Sequence, residues 1–188
     1  MPKITVLKNR LFNIDSPDDF NDIALEIFHF QYKNNLIYRQ FVDYLKTPIK
    51  QISHFYDIPF LPIEFFKRHD VVCGDFVPEI LFTSSGTTGA QTSKHMIKEV
   101  GLYERSFLKA FNFFFGELSD NVVLALLPSY LEREGSSLVY MANKLILESG
   151  NLESGFYLNE YKELHTLLNT MKDKNQKVIL LGVTYALL

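Results

Sequence analysis

The residues best suited to chemistry in this chain form one run, Leu81-Phe82-Thr83-Ser84-Ser85-Gly86-Thr87-Thr88-Gly89, with Ser93-Lys94-His95 close behind. An apolar strand end passes into hydroxyls and glycines, and a cation follows. Two glycines permit positive φ and let the backbone approach a ligand with no Cβ in between, so that successive N–H groups can turn toward one anion. The five hydroxyls from Thr83 to Thr88 add uncharged donors. Lys94 adds a positive charge, whose hydrogen bonds to a phosphate oxygen are worth roughly 1.5–3 kcal/mol each. One reading is therefore a phosphate cradle. Ser, Thr and Gly clusters also commonly join elements as plain polar turns, and composition alone leaves both readings open.

Three familiar motifs are excluded by spacing. A Walker loop needs Gly, four residues and then Gly-Lys-Ser/Thr, whereas Gly86 and Gly89 are three apart and neither precedes a lysine. The dinucleotide fingerprint G-x-G-x-x-G is absent. So is the G-x-S-x-G nucleophile elbow, although the five histidines leave a dispersed triad open.

The elements that must hold the loop can be read from periodicity. Ile80-Leu81-Phe82 is a strand that feeds it. Tyr103, Phe107, Ala110, Phe111 and Phe114 give a helix with an aromatic face, ended by Gly116. Val122-Val123-Leu124-Ala125-Leu126-Leu127 is a continuous apolar run of buried-strand length, closed by Pro128. A helix from about Ser136 carries Leu138, Met141, Ala142 and Leu145 and ends near Gly150. Phe156-Tyr157-Leu158 is a short strand, Asn159 caps a helix bearing Tyr161, Leu164, Leu168 and Met171, and residues 178–183 form another buried strand. Strand and helix alternate, which predicts an α/β fold with a mainly parallel sheet flanked by helices.

The N-terminal part reads differently. A strand is expected at residues 4–7. Ser16-Pro17-Asp18-Asp19 is a strong helix start, with a hydroxyl cap, proline in the first turn and acids at the positive dipole end. Phe20, Ile23, Ala24, Ile27 and Phe30 recur at helical spacing, Asn34-Asn35 interrupts, and a second helix presents Ile37, Phe41, Tyr44 and Leu45 on one face, ending before Thr47-Pro48. Residues 1–50 are thus expected as a helical portion and 51–188 as an α/β subdomain. Pro59 and Pro62 break the aromatic segment 49–70, which either walls an apolar pocket, with His54 as its polar group, or serves as a packed connector.

Composition bounds the function. The chain of 188 residues is 47% hydrophobic, with 19 basic and 22 acidic residues and no basic stripe, which argues against nucleic acid as the main partner. The single Cys73 excludes an internal disulfide and fits a reducing compartment; beside two valines it reads as a buried, inert thiol. No apolar run reaches membrane-spanning length, and the N-terminus lacks the apolar core of a secretory signal. A cytoplasmic protein is expected.

Ser84-Ser85-Gly86-Thr87-Thr88-Gly89 closely resembles the phosphate-binding signature of the adenylate-forming ligase superfamily. The displaced lysine in Gln91-Thr92-Ser93-Lys94-His95 resembles the acyl-protein synthetase family, the luciferin-component ligases and their relatives. So do residues 58–67, Leu127-Pro128-Ser129-Tyr130-Leu131-Glu132-Arg133, Ser136-Ser137-Leu138-Val139-Tyr140-Met141 and residues 181–188. The resemblance implies ATP-dependent activation of a long-chain fatty acid as acyl-adenylate, followed by transfer to a protein thiol, with ATP and Mg2+ as cofactors and an acyl reductase or acyl-carrier protein as partner. It implies that Ser84, Ser85, Gly86, Thr87, Thr88 and Gly89 cradle pyrophosphate and that Lys94 supplies counter-charge. Arg133 follows an expected strand end, the usual ligand position in α/β sheets, and is assigned a carboxylate or phosphate; a solvated charged loop is its alternative. Ser129 and Ser136 are assigned to the lining of that site. No residue maps onto the family's magnesium ligand or acyl-accepting cysteine. Thr184-Tyr185-Ala186-Leu187-Leu188 opens a helix, so the chain is expected to be the incomplete N-terminal half of such a ligase fold, inactive by itself. The competing function is a non-catalytic interaction domain of an acyl-transfer complex that keeps the Gly loop as structure.

Overall fold

The computed structural model describes residues 4–84, 91–127 and 135–187. Two compact units divide the chain, Met1–Glu99 and Val100–Leu188. Together they form a mixed α/β protein whose described strands make a two-stranded and a three-stranded sheet. Among the described residues no helix is long and apolar enough to cross a membrane.

The first unit opens with α1 (Ile4–Arg10), where a strand was expected. The β-branched run is overruled by tertiary contacts: Leu7 is buried, Arg10 pairs with Glu26 and Asp19, and Lys8 pairs with Glu99. α2 (Pro17–Asn34) starts where the cap predicts, with Ser16 Oγ accepting the Asp19 N–H at 3.1 Å. Asn35 then closes α2 and caps α3 (Leu36–Tyr44), its side chain accepting the Tyr38 N–H. The buried face of α3 is Tyr38 and Val42, not the expected Ile37, Phe41, Tyr44 and Leu45; Tyr44 is 86% exposed. Tyr38 and Val42 sit one turn apart and join Phe28 and Ile52 in one cluster.

The aromatic segment that follows is packed in part, with Tyr56 and Phe60 exposed. Ile58 and Leu61 pack against the α2–α3 cluster, and Phe65 of the single-turn α4 (Phe65–Arg68) meets Phe41 edge-on at 5.6 Å. His54 caps a short 3-10 turn, its Nδ1 accepting the Tyr56 N–H. β1 (Ile80–Thr83) and β2 (Lys94–Ile97) then pair antiparallel. The parallel arrangement expected for the sheet therefore does not extend to β1. The connection is short enough for a hairpin, whereas parallel neighbours need a crossover of about a dozen residues or more.

The second unit is the parallel part. α5 (Val100–Phe115) precedes β3 (Asn121–Leu126); α6 (Ser137–Ser149), β4 (Gly155–Tyr157), α7 (Tyr161–Asp173), β5 (Lys177–Gly182) and α8 (Thr184–Leu187) follow. Strand order is β4-β3-β5, parallel throughout. Every residue of β3 is buried, because helices cover both faces. Val122, Leu124 and Leu126 pack with Leu164 and Met171 of α7. On the other face Val123 packs with Phe107, Phe111 and Leu145, and Ala125 and Leu127 pack with Ala142. Each large aliphatic side chain so buried contributes roughly 1.5–3 kcal/mol.

Two local expectations change here. Phe114 does not belong to the buried face of α5; it is 72% exposed, and the face is carried by Phe107 and Phe111. Asn159 does not cap α7: that position is Glu160, whose carboxylate turns back to accept the N–H groups of Leu158 and Asn159. These bonds hold its carboxyl below the usual range.

Candidate functional site

In the first unit the hairpin positions the ends of the candidate phosphate loop. Its register sets Phe82 opposite His95 and Thr83 opposite Lys94. One step nearer the tip, the Ser84 N–H donates to the Ser93 carbonyl at 3.1 Å, and the Ser93 N–H donates to Ser84 Oγ at 2.9 Å. A side-chain oxygen thus replaces the second carbonyl of the ladder. Ser93 is 5% exposed and Phe82 is also buried, so the base of the loop is anchored in the unit's interior.

This closure alters what Ser84 has to offer. Its amide is committed to Ser93, so Ser84 does not contribute an N–H to a backbone anion nest. Its hydroxyl oxygen accepts from Ser93, and the hydroxyl proton is the group it has for a ligand. Ser85, Gly86, Thr87, Thr88 and Gly89 lie outside the described residues. Lys94 is exposed at the first position of β2, with its Cβ on the same face as that of Thr83.

Two neighbours of the loop were not singled out by sequence reasoning as site residues, namely Ser93 and His95. His95 is half-buried and stacks on Phe66 of α4, with ring centroids 4.5 Å apart and planes 13° from parallel. The available signal was the polar run Thr92-Ser93-Lys94-His95, whose alternate members must point to opposite faces once it is a strand.

The second unit has, taken by itself, a separate candidate position at the carboxyl end of its parallel sheet, where ligands settle in open α/β folds. There the Leu127 N–H donates to the Tyr157 carbonyl at 3.3 Å, at the point where β3 hands over to residues 128–134. Arg133 and Ser129 lie outside the described residues. Ser136 is a structural cap, with its Oγ accepting the Val139 N–H of α6. Tyr157 at this end has its phenol pushed up by burial and then by Glu153, Glu163 and Glu160.

Cys73 was expected to be buried. It is half-buried, its Sγ donates to Gln31 Oε1 at 3.1 Å, and burial raises its pKa. Among the described residues no three His, Cys, Asp or Glu converge as a metal-binding group, so none is assigned to Mg2+.

No family model matches the chain, and no curated protein and no solved structure matches it at a significant level.

Proposed function

We propose that the protein is an acyl-adenylate-forming ligase of the acyl-protein synthetase type, and that residues 84–94 hold the phosphates of ATP. The observation that carries this reading is the hairpin closure. A Ser/Thr/Gly-rich connection is clamped at its base by the reciprocal Ser84–Ser93 bonds, and Lys94 stands exposed immediately beyond the clamp. The clamp sets where the connection begins and ends, and Lys94 puts a cation directly beside it, the charge that a phosphate oxygen requires.

In this reading a long-chain carboxylate attacks the α-phosphorus of ATP and pyrophosphate departs. The partner's thiol, losing its proton, then attacks the acyl carbon of the adenylate, so that the acyl group passes to an acyl-carrier or reductase partner as a thioester and AMP leaves. The hydroxyls of Ser84, Ser85, Thr87 and Thr88 and the backbone at Gly86 and Gly89 hold the departing diphosphate, with Lys94 balancing its charge. Arg133 is assigned to the carboxylate or phosphate of the same reaction on the strength of the sequence resemblance. Mg2+ would supply charge neutralisation of the phosphates, and no step here depends on a protein ligand to it.

Pyrophosphate–ATP exchange driven by long-chain fatty acids tests the proposal. Exchange that is lost in Lys94→Ala and Gly86→Val supports the ligase. If every version that contains this chain binds an acyl reductase or carrier yet gives no exchange, the interaction-domain reading replaces it.

A further inference from the structure

In the first unit, α1 and α2 border a cavity of about 350 Å³, at the lower end of the size range of small-molecule pockets. Ile4 and Leu7 of α1 and Phe30 of α2 give it apolar walls. Glu26, His29 and Lys33 add polar groups, because positions 26, 29, 30 and 33 follow one stripe of α2 at helical spacing. The two oxygens of Glu26 differ. Oε1 is paired with Arg10 Nη1, whereas Oε2 is shielded from solvent and no group among the described residues donates to it.

A shielded oxygen that has lost its hydration calls for a donor from water or from a ligand. One water takes up about 30 Å³, a small part of this cavity, and further waters against Ile4, Leu7 and Phe30 lack polar partners. The space therefore suits a larger, partly apolar molecule with a donor for Oε2. Arg10 already balances the charge of Glu26, and Lys33 brings a further cation about 10 Å along the helix axis. Its four-carbon stem can span most of that interval. A simple amine would meet Glu26 but face Lys33; a simple carboxylate would meet Lys33 but offer Glu26 nothing.

We propose that this cavity binds a small apolar amino acid or its N-acyl derivative. The ligand's N–H donates to Glu26 Oε2, its side chain lies against Ile4, Leu7 and Phe30, and its carboxylate pairs with Lys33. None of residues 84–94 takes part, so the inference stands independently of the phosphate reading.

Amide-resolved NMR of the full chain, titrated separately with leucine, N-acetylleucine, isocaproate and isoamylamine, tests it. At least one of the first two should give saturable shifts at Ile4, Leu7 and residues 26–33, and the stronger of them shows whether an ammonium or an amide is the donor. Isocaproate, which lacks the N–H, and isoamylamine, which lacks the carboxylate, should bind at least about tenfold more weakly than that ligand. Glu26→Gln keeps one oxygen for Arg10 and turns the other into a donor, so it should erase the advantage over isocaproate. Lys33→Gln should erase the advantage over isoamylamine. Ile4→Trp, at an exposed position away from the Arg10–Glu26 pair, should fill the cavity and abolish binding, which keeps the test intact if Glu26→Gln unfolds the chain. Equal affinity for all four probes, shifts confined to other residues, or binding undiminished in Ile4→Trp would overturn the proposal. So would the absence of saturable binding by leucine and N-acetylleucine, which would leave Oε2 to water.

Discussion

Ser84 and Ser93 hold each other across the end of the hairpin, each through its own N–H, but only one of the two acceptors is a backbone carbonyl; the other is the Ser84 hydroxyl. Closure of the loop therefore depends on a side chain. Ser84→Ala should leave the Ser93 N–H without its acceptor at a buried position and cost about 1–3 kcal/mol. Urea denaturation measures the loss, and Ser84→Thr should recover most of it. Equal stability of all three proteins would show that the hydroxyl contributes nothing to closure.

Burial pushes the phenol of Tyr38 up from 10.0 to about 12, and its hydroxyl donates to the Pro59 carbonyl at 2.7 Å. The folded state thus holds this proton more tightly than the unfolded state. The associated stability is complete below the unfolded value near 10.0 and is lost as pH climbs through about 12. Tyr38→Phe should flatten that alkaline fall in stability and cost about 1 kcal/mol at neutral pH for the lost bond. A fall just as steep in Tyr38→Phe would assign it to the other tyrosines.

Cys73 supports a third expectation. Burial raises its pKa, so the folded protein keeps it as thiol, and the stability linked to that proton is present below the unfolded value and lost as pH rises through the folded one. A thiol-specific reagent should label native protein at least about tenfold more slowly than urea-unfolded protein at neutral pH. Labelling as fast as in the unfolded chain would identify an accessible thiol and reopen its role in acyl transfer.

The elements legible in the sequence were those whose signals are local. α2 declared itself through Ser16, Pro17 and the two aspartates, and β3 through the apolar run from Val122 to Leu127, which has the length of a strand covered on both faces and is closed by Pro128. α1 was not legible, because its helix rests on pairs between Lys8 and Glu99 and between Arg10 and Glu26, residues far apart in the chain. The inward turn of Tyr38 and Val42 likewise follows from the Asn35 cap and from packing on Phe28, neither of which periodicity reports. The antiparallel partner of β1 was hidden in the four residues Lys94–Ile97, two polar and two apolar, too short a run to show alternation. Ser93 and His95, named beside Lys94 in the sequence, received no role there, while Lys94 stood out by its charge.

Amide-resolved NMR of the chain titrated with MgATP and with pyrophosphate addresses the central claim most directly. The account predicts saturable shifts concentrated on the amides of residues 84–94 and abolished by Lys94→Ala. Saturable binding whose shifts fall elsewhere, with the amides of residues 84–94 unmoved, would contradict it.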